Sequence, residues 1–534
     1  MHGPCRVHLL PAVDALADAA QPLRRLECGL DTDDLDSKLF ALPGSELRGL
    51  GRLTQLEHLA ISGAHALKSW ECSRADVRRQ RDSFLAAAAQ LNSGLSPLTR
   101  LTSLSLGLLF TQPPPAAPAA GPHDVPAEHL TWMHALGGQL VELQLLQCFN
   151  AAGAIAAVSA AMPHLTRLRL GEVQKDDAAV QNMLAEVTPQ QLSPLSALSK
   201  LRWLRLDCCL GPRQLEALSL ACSQLTSLGI GTPTGGLPAT CTACWPQLLE
   251  LRVGLFNAQV PGWVPSDVWG SGVFAAMAPQ LTSLQLVRDQ PLWAYEEDLM
   301  AEIQFRILYV VDLRCVAGHP ALTSLAIDVP SMLEACDGGS ALFEVDKLAQ
   351  ENADEYDPEL LDDVRADAEA VLELAMAWHL VPLLTLKGLR SLALSGMTGT
   401  SEEFSAFYCQ HLALLTQLTH LRVSGSDLGV TLTCVTAIRS LRWLEMERGH
   451  PTWLRGGGGD PGACLACAAS LSQLERVSFT RIHGVTEAGL TRLAAVVPSL
   501  RRVDVVTREP ASLAFEACCV RLMQQHPLLT IHIG

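Results

Sequence analysis

The chain has 534 residues, of which 49% are apolar, 18% are charged and only 5% are aromatic, so leucine must supply most of any core. Its formal net charge of −16 disfavours a general attraction to nucleic-acid phosphates or anionic lipid, although local basic patches are compatible with it. A chain of this length usually forms roughly three or four globular domains, so a single architecture requires evidence from internal periodicity.

The N-terminal segment and the cysteines indicate a reducing compartment. Residues 1–24 contain no basic region that leads into an uninterrupted apolar stretch, because Pro11, Asp14 and Asp18 interrupt the one candidate. We therefore predict no signal peptide. No run of about 18 apolar residues occurs, which argues against a membrane-spanning helix. The 17 cysteines are an odd number scattered through apolar segments, which favours the cytoplasm.

A six-residue pattern, apolar-x-x-apolar-x-apolar and usually beginning with leucine, recurs along nearly the whole chain. Its last two apolar residues point to one face of an extended chain, and the residues that flank them point to the other. One unit buries too little surface to be stable, but stacked units share a continuous core. Clear copies begin at Leu56, Leu101, Leu140, Leu165, Leu201, Leu225, Leu248, Leu281, Leu322, Leu389, Leu418, Leu441, Leu474 and Leu500.

Weaker copies at Leu23 and Leu528 suit terminal repeats, and a doubtful copy begins at Leu308, so we expect about fifteen units. Between the copies, Ala151–Met162, Gln214–Ala221 and Glu487–Val497 have the composition and length of helices. In several units a proline stands two residues before the first motif leucine, where it ends a helix and begins a strand. The sequence therefore predicts strands that alternate with return segments.

These residues resemble the leucine-rich-repeat superfamily, from about Leu23 to Ile533. Two copies extend to an LxxLxLxxC form, at Leu140–Cys148 and Leu201–Cys209, and Cys222 precedes Leu225 as in cysteine-containing repeats. That subtype resembles the one used by substrate-recognition subunits of ubiquitin ligases, although most copies lack Asn or Cys at this position. The resemblance implies an α/β solenoid, a horseshoe with a parallel sheet on its concave face and helices or loops on its convex face.

An acidic insertion separates two blocks of repeats. Between Ser331 and Leu380, 14 acidic residues stand against Lys347 and Arg365, so most of the net charge is concentrated here. The apolar spacing in Glu359–Leu380 predicts an amphipathic helix. The insertion is either a solvated helical excursion or a docking segment for a basic partner. We divide the chain into an N-terminal block of repeats (1–330), the acidic helical insertion (331–385) and a C-terminal block of repeats (386–534).

The sequence contains no motif for catalysis or for a cofactor. The CxxC pairs Cys241/Cys244 and Cys464/Cys467 could hold zinc, but they lie far apart in the chain, so we expect buried thiols instead. There is no GxSxG elbow, no HExxH helix and no phosphate-binding lysine after the glycines at 456–459. We expect no catalytic residue, no metal and no cofactor; the alternative is an enzyme site in the insertions.

The concave face is the predicted binding surface. Most of its residues are small, such as Ser103, Ser105, Ser391 and Ala393. Arginine and tryptophan often carry interface energy, although here they could also simply solvate the strands. The candidate partner-binding residues are Arg167, Arg169, Trp203, Arg205, Glu250, Arg252, His420, Arg422, Trp443, Glu445 and Arg476.

The sequence therefore predicts a non-catalytic scaffold that binds a protein partner on its concave face, without nucleic acid, membrane or small-molecule cofactor. We expect it in the cytoplasm, with the cytoskeleton or the axoneme of a cilium as candidate locations, as in similar repeat proteins. The alternative is an F-box-like substrate adaptor of a ubiquitin ligase. Against this, the first repeat begins at Leu23, with no F-box-like helical module before it.

Overall fold

Each clear copy of the leucine pattern forms a strand that begins two residues after its first leucine. The weaker copies at Leu23 and Leu528 do the same, so sixteen copies are strands where about fifteen were expected. Leu308 lies outside the described residues. The computed structural model describes residues 23–30, 50–63, 93–107, 131–145, 151–171, 187–208, 210–231, 242–255, 271–288, 313–328, 381–395, 412–424, 435–447, 471–480, 487–506 and 513–533.

Within each of two compact units the strands pair in parallel and in chain order, as a stack of similar repeats requires. The chain divides into two compact units; the first contains β1–β7 and the second contains β8–β16. The predicted α/β repeat solenoid with a parallel sheet is therefore confirmed. The strands are β1 Arg25–Leu30, β2 His58–Gly63, β3 Ser103–Gly107, β4 Glu142–Leu145, β5 Arg167–Gly171, β6 Trp203–Asp207, β7 Ser227–Ile230, β8 Glu250–Leu255, β9 Ser283–Arg288, β10 Ser324–Asp328, β11 Ser391–Ser395, β12 His420–Ser424, β13 Trp443–Glu447, β14 Arg476–Thr480, β15 Arg502–Val506 and β16 Thr530–Ile533.

The core is a ladder of leucines in register. Leu204 of β6 pairs with Leu168 of β5 and with Leu228 of β7, and all three are at most 1% exposed. Each fully buried leucine contributes about 1.5–3 kcal/mol of transfer free energy. The first, third and fifth residues of each strand lie on the opposite side of the sheet from this ladder. We call that side the open face of each unit.

The return segments are of two kinds. The three helices predicted from composition are present, at Ala151–Ala161, Pro212–Ala221 and Glu487–Val496. Pro163 and Pro498 stand two residues beyond the ends of the first and the third of these helices. Further return helices are Thr131–Leu136, Pro189–Leu192, Val273–Met277 and Leu513–Gln525, and 3₁₀ helices lie at Ser193–Ala197, Leu313–Val316 and Val381–Thr385. No helix among the described residues is long and apolar enough to span a membrane.

The second kind is a tight turn made by an L-x-x-L-x-x-L stretch ahead of the strand. In the unit before β2, the amide of Leu53 donates to the carbonyl of Leu50 at 2.9 Å, and that of Leu56 donates to Leu53 at 2.9 Å. With about three residues per turn, every third side chain faces the same way, so all three leucines are buried. The same pattern occurs at Leu95/Leu98/Leu101, Leu195/Leu198/Leu201, Leu383/Leu386/Leu389, Leu412/Leu415/Leu418 and Val435/Ile438/Leu441.

Several predictions of the sequence fall outside the described residues. Among them are the acidic residues of the insertion between Ser331 and Leu380, including the amphipathic helix predicted there. Val381–Thr385 forms the turn that leads into β11. The division into two repeat blocks and an acidic helical insertion stays a prediction.

His319 is a buried polar residue in the turn before β10. Its Nε2 lies 3.1 Å from the carbonyl oxygen of Ala278, and its Nδ1 accepts the amide of Ala321 at 3.3 Å. Both contacts are satisfied by a neutral ring with its proton on Nε2. Burial lowers the pKa of His319, and the bond to Ala278 only partly opposes that effect.

Leu392→Asp should strongly destabilise the second unit, because Leu392 is fully buried between Leu325 of β10 and Leu421 of β12. An unpaired buried carboxylate costs about 3–5 kcal/mol. Ala393→Asp is the matched control, since the same carboxylate would then lie on the open face opposite Arg422. It should change the free energy of unfolding by less than about 0.5 kcal/mol. Urea unfolding followed by circular dichroism measures both, and equal losses would refute the assignment of the two faces.

His319 should make stability depend on pH. As pH falls below 6.5, the ordinary pKa of histidine, the unfolded chain binds a proton that the folded chain resists. The free energy of unfolding should therefore decrease towards acid and be fully restored above that pH. In His319→Gln, urea unfolding between about pH 7 and pH 5 should show a shallower decrease than in the wild type. Identical slopes would rule out this role of His319.

Candidate functional site

Two groups of large side chains lie on the open faces among small residues. The first cluster lies on β4–β6 and brings together the predicted residues Arg167, Arg169, Trp203 and Arg205 with Glu142 and Asp207, which were not predicted. The second cluster lies on β12–β15 and brings together the predicted His420, Arg422, Trp443, Glu445 and Arg476 with Glu447, Arg502 and Asp504, which were not predicted. Each cluster lies within one unit.

Asp207 holds the two inner arginines of the first cluster. Arg169 and Arg205 stand opposite each other in register, so their like charges need a counter-ion. Arg169 donates from Nε and Nη2 to Oδ2 of Asp207 at 3.0 and 2.9 Å, and Arg205 donates from Nε to Oδ1. The sequence could have predicted that Asp207 lies beside Arg205, because a residue two positions further along a strand lies on the same face.

Arg167 is the outer arginine of the first cluster. Its Cζ lies 5.3 Å from the ring centroid of Trp203, a cation–π distance, and its side chain is 54% exposed. Its Nε is 4.0 Å from Oε1 of Glu142. Both oxygens of Glu142 have nearer donors: Nε2 of Gln144 at 2.8 Å and Oγ of Ser103 at 3.2 Å. Arg167 is therefore only loosely held by its counter-ion.

A glycine on β7 makes room for Arg205. A Cβ atom at Gly229 would lie 2.9 Å from Cγ of Arg205 and 3.3 Å from its Cβ, which is closer than such atoms normally approach. Cβ and Cγ are the first two carbons of the Arg205 side chain, so they cannot easily move away. The absence of a side chain at Gly229 lets the Arg205 stem lie against β7, where its side chain is only 15% exposed.

The second cluster is built around Trp443. The rings of His420 and Trp443 are stacked, with centroids 4.2 Å apart and planes 8° apart, and Cζ of Arg476 lies 4.3 Å from the Trp443 centroid. These residues are consecutive in one register row of β12, β13 and β14. Burial lowers the pKa of His420; the nearby arginines add to this effect, while Glu445 opposes it. The ring is therefore neutral near pH 7.

Carboxylates pair with each arginine of the second cluster. Asp504 accepts Nε of Arg476 at 2.9 Å and Nε of Arg502 at 2.9 and 3.0 Å, and it is itself buried. Arg422 donates from Nη2 to Glu447 at 2.7 Å, and its Nε lies 3.6 Å from Glu445. Such charge-assisted bonds hold the arginines in place along the sheet.

The other two predicted residues, Glu250 and Arg252, lie on β8 of the second unit. Their partners in register on β9 are Ser283 and Gln285. Because β8 is four strands from β12 in chain order, they are not part of the second cluster.

One expectation about the cysteines is wrong. Cys244 is exposed, whereas Ala243 and Trp245 are buried. The side chains of an extended segment alternate in direction, so two buried neighbours leave Cys244 facing solvent. The other three CxxC cysteines lie outside the described residues. Cys222 is buried as expected, and burial raises the pKa of its thiol to about 12. The part of the chain that is described contains no group of three or more metal-ligating side chains.

Asp504→Ala should lower the free energy of unfolding by about 1–3 kcal/mol, because it leaves the guanidinium groups of Arg476 and Arg502 without their shared acceptor. Glu475→Ala is the matched control, since Glu475 makes a 3.9 Å ion pair with Arg442 and both side chains are about half exposed. It should cost less than about 0.5 kcal/mol. Both values come from urea unfolding, and a loss for Asp504→Ala no greater than that of the control would contradict the role of Asp504.

Comparisons with known proteins give weak likenesses. No protein-family model matches the chain, and no curated protein matches it. A leucine-rich-repeat protein of Leptospira interrogans has a TM-score of 0.30 and 12% identity, with 99% of this chain and 100% of that chain covered. The structure of the Rad7 and Elc1 complex in yeast has a TM-score of 0.30 and 13% identity, and the match covers 75% of this chain and 77% of that chain. The repeated leucine pattern and the parallel strands that it forms give the chain the fold of a leucine-rich-repeat solenoid.

Proposed function

We propose that this protein is a non-catalytic scaffold that binds a protein partner on its open face. The observation that carries the proposal is the placement of two arginine–tryptophan clusters on sheet faces whose other strands present mainly small residues. Tryptophan and arginine are the residue types most enriched among those that dominate binding energy at protein interfaces.

The dimensions of the face favour a macromolecule over a small ligand. The seven strands of the first unit, at a spacing of about 4.8 Å, span roughly 30 Å. Small-molecule sites are usually concave pockets that enclose most of their ligand. A row of side chains along a parallel sheet fits an extended or folded protein surface better.

The narrower proposals rest on the sequence. The cytoplasm, with the cytoskeleton or an axoneme as candidate locations, follows from the sequence features and from similar repeat proteins. A substrate adaptor of a ubiquitin ligase is the alternative, suggested by the cysteine-type copies. An enzyme site in the insertions is the third possibility, and it concerns residues outside those described.

Arg167→Ala combined with Arg502→Ala should remove a specific set of proteins from those that co-purify with the protein from its native cells. Both side chains are about half exposed, and Asp504 keeps Arg476 as a partner when Arg502 is removed, so the fold should stay intact. The matched control replaces Arg213 and Arg521, which are exposed on return helices, by alanine. Quantitative mass spectrometry compares the three forms.

Loss of one set of proteins with the open-face variant alone would support the scaffold proposal and identify the partner. Recovery of a cullin adaptor in that set would favour the ubiquitin-ligase alternative. Identical sets in all three forms would exclude the open-face clusters as the binding site.

A further inference from the structure

The two clusters look alike in sequence. The segments LRWLRLD at 201–207 and LRWLEME at 441–447 place a tryptophan and an acidic residue at matching positions of β6 and β13. The preceding strands, β5 and β12, each place an arginine, Arg169 or Arg422, beside the acid of the tryptophan strand. The structure nevertheless gives the clusters different charge balances.

The positive charges of the second cluster are balanced by carboxylates of the same cluster. Its three arginines stand against three carboxylates, and each arginine lies within 4 Å of at least one of them. Both faces of the Trp443 ring are occupied, one by His420 and the other by Arg476. This cluster is a closed network that stabilises β12–β15.

The first cluster has an excess of positive charge. On β4–β6, within the described residues, three arginines stand against only Glu142 and Asp207. Asp207 is occupied by Arg169 and Arg205, and its side chain is only 12% exposed. Glu142 accepts from Gln144 and Ser103 and is 4.0 Å from Arg167. Both carboxylates of this cluster therefore already accept nearer donors than Arg167, and the guanidinium of Arg167 has donors to offer to a ligand.

Trp203 restricts the position of the Arg167 guanidinium, and the neighbouring strand β7 carries small residues. The indole ring lies beneath Arg167 at a cation–π distance, which limits the freedom of a long side chain that is otherwise half exposed. On the other side of β6, the open face of β7 carries Ser227 and Gly229. A peptide main chain can approach the sheet beside Ser227, which pairs with Trp203, whereas the Arg205 stem covers Gly229.

We infer that the first cluster binds an acidic segment of the protein partner, with one carboxylate of that segment held by the Arg167 guanidinium above Trp203. This inference rests on the proposed scaffold function and names the chemistry of its partner. A guanidinium and a carboxylate match as a planar, two-bond pair. Nucleic acid fits less well, because its affinity depends on many phosphate contacts, whereas this cluster has three arginines in a chain of net charge −16.

The test is the fluorescence anisotropy of a fluorescein-labelled oligoglutamate peptide titrated with the full-length protein at low ionic strength, with an oligoglutamine peptide as the matched probe. The wild type should bind oligoglutamate and not oligoglutamine. Arg167→Ala should weaken binding at least about tenfold, the lower end of the effect expected when hydrogen bonds to a charged group are lost. Arg167→Lys should give an intermediate affinity, because lysine keeps the charge but lacks the planar fork.

Arg213→Ala is the control variant, because Arg213 is exposed on the return helix Pro212–Ala221 outside both clusters, and it should leave the affinity for oligoglutamate unchanged. An equal loss in Arg213→Ala and Arg167→Ala, or wild-type affinity in Arg167→Ala, would overturn the inference. So would failure of the wild type to bind oligoglutamate. If the open-face variant still loses its cellular partner in that case, the scaffold function stands and only the acidic character of the partner is refuted.

Discussion

The structure depends on the burial of the same leucine positions, strand after strand. One strand with two inward apolar residues has nothing to bury them against, but a stack gives each of them a neighbour on both sides, as Leu204 has in Leu168 and Leu228. Stability therefore accumulates between adjacent repeats, and the register is fixed because a shift by one residue would turn every leucine towards solvent. The same constraint permits return segments of very different length and type, from a turn of leucines every third residue to helices of ten or more residues.

A fixed register has an electrostatic consequence on the open face. Residues at equal positions of neighbouring strands stand side by side, so an arginine that repeats at one position meets another arginine, as Arg169 meets Arg205. The structure resolves this repulsion with carboxylates placed further along the face. Asp207 lies two positions after Arg205, and Asp504 lies two positions after Arg502 and diagonally across from Arg476. Whether such a cluster is available to a partner then depends on how many carboxylates it contains, and the two clusters differ in that number.

The proposed function follows from this division between the two sides of the sheet. The buried side has little freedom to vary, because each leucine is packed by its neighbours. The open face can change without disturbing the core, so recognition residues can be placed there with little effect on the fold. In the first cluster, Arg169 and Arg205 are both paired with Asp207. The guanidinium of Arg167 is more exposed. Because the paired residues are already fixed and only the Arg167 guanidinium is accessible, less conformational entropy is lost on binding.

The sequence by itself determined the strands, their inward residues and the parallel repeat solenoid, because these depend on a local pattern that every copy repeats. It also selected both tryptophans and every arginine of the two clusters except Arg502, since side chains alternate along a strand. It did not reveal the leucine turns at Leu50 and Leu53, because their period of three runs directly into the strand motif at Leu56, and it missed the exposure of Cys244. Only the tertiary structure decided which carboxylates neutralise which arginines, because that depends on contacts between strands that lie dozens of residues apart in the chain. It therefore also decided that Arg422 and Arg476, around Trp443, have carboxylate partners at 2.7 and 2.9 Å, whereas Arg167 lies 4.0 Å from Glu142.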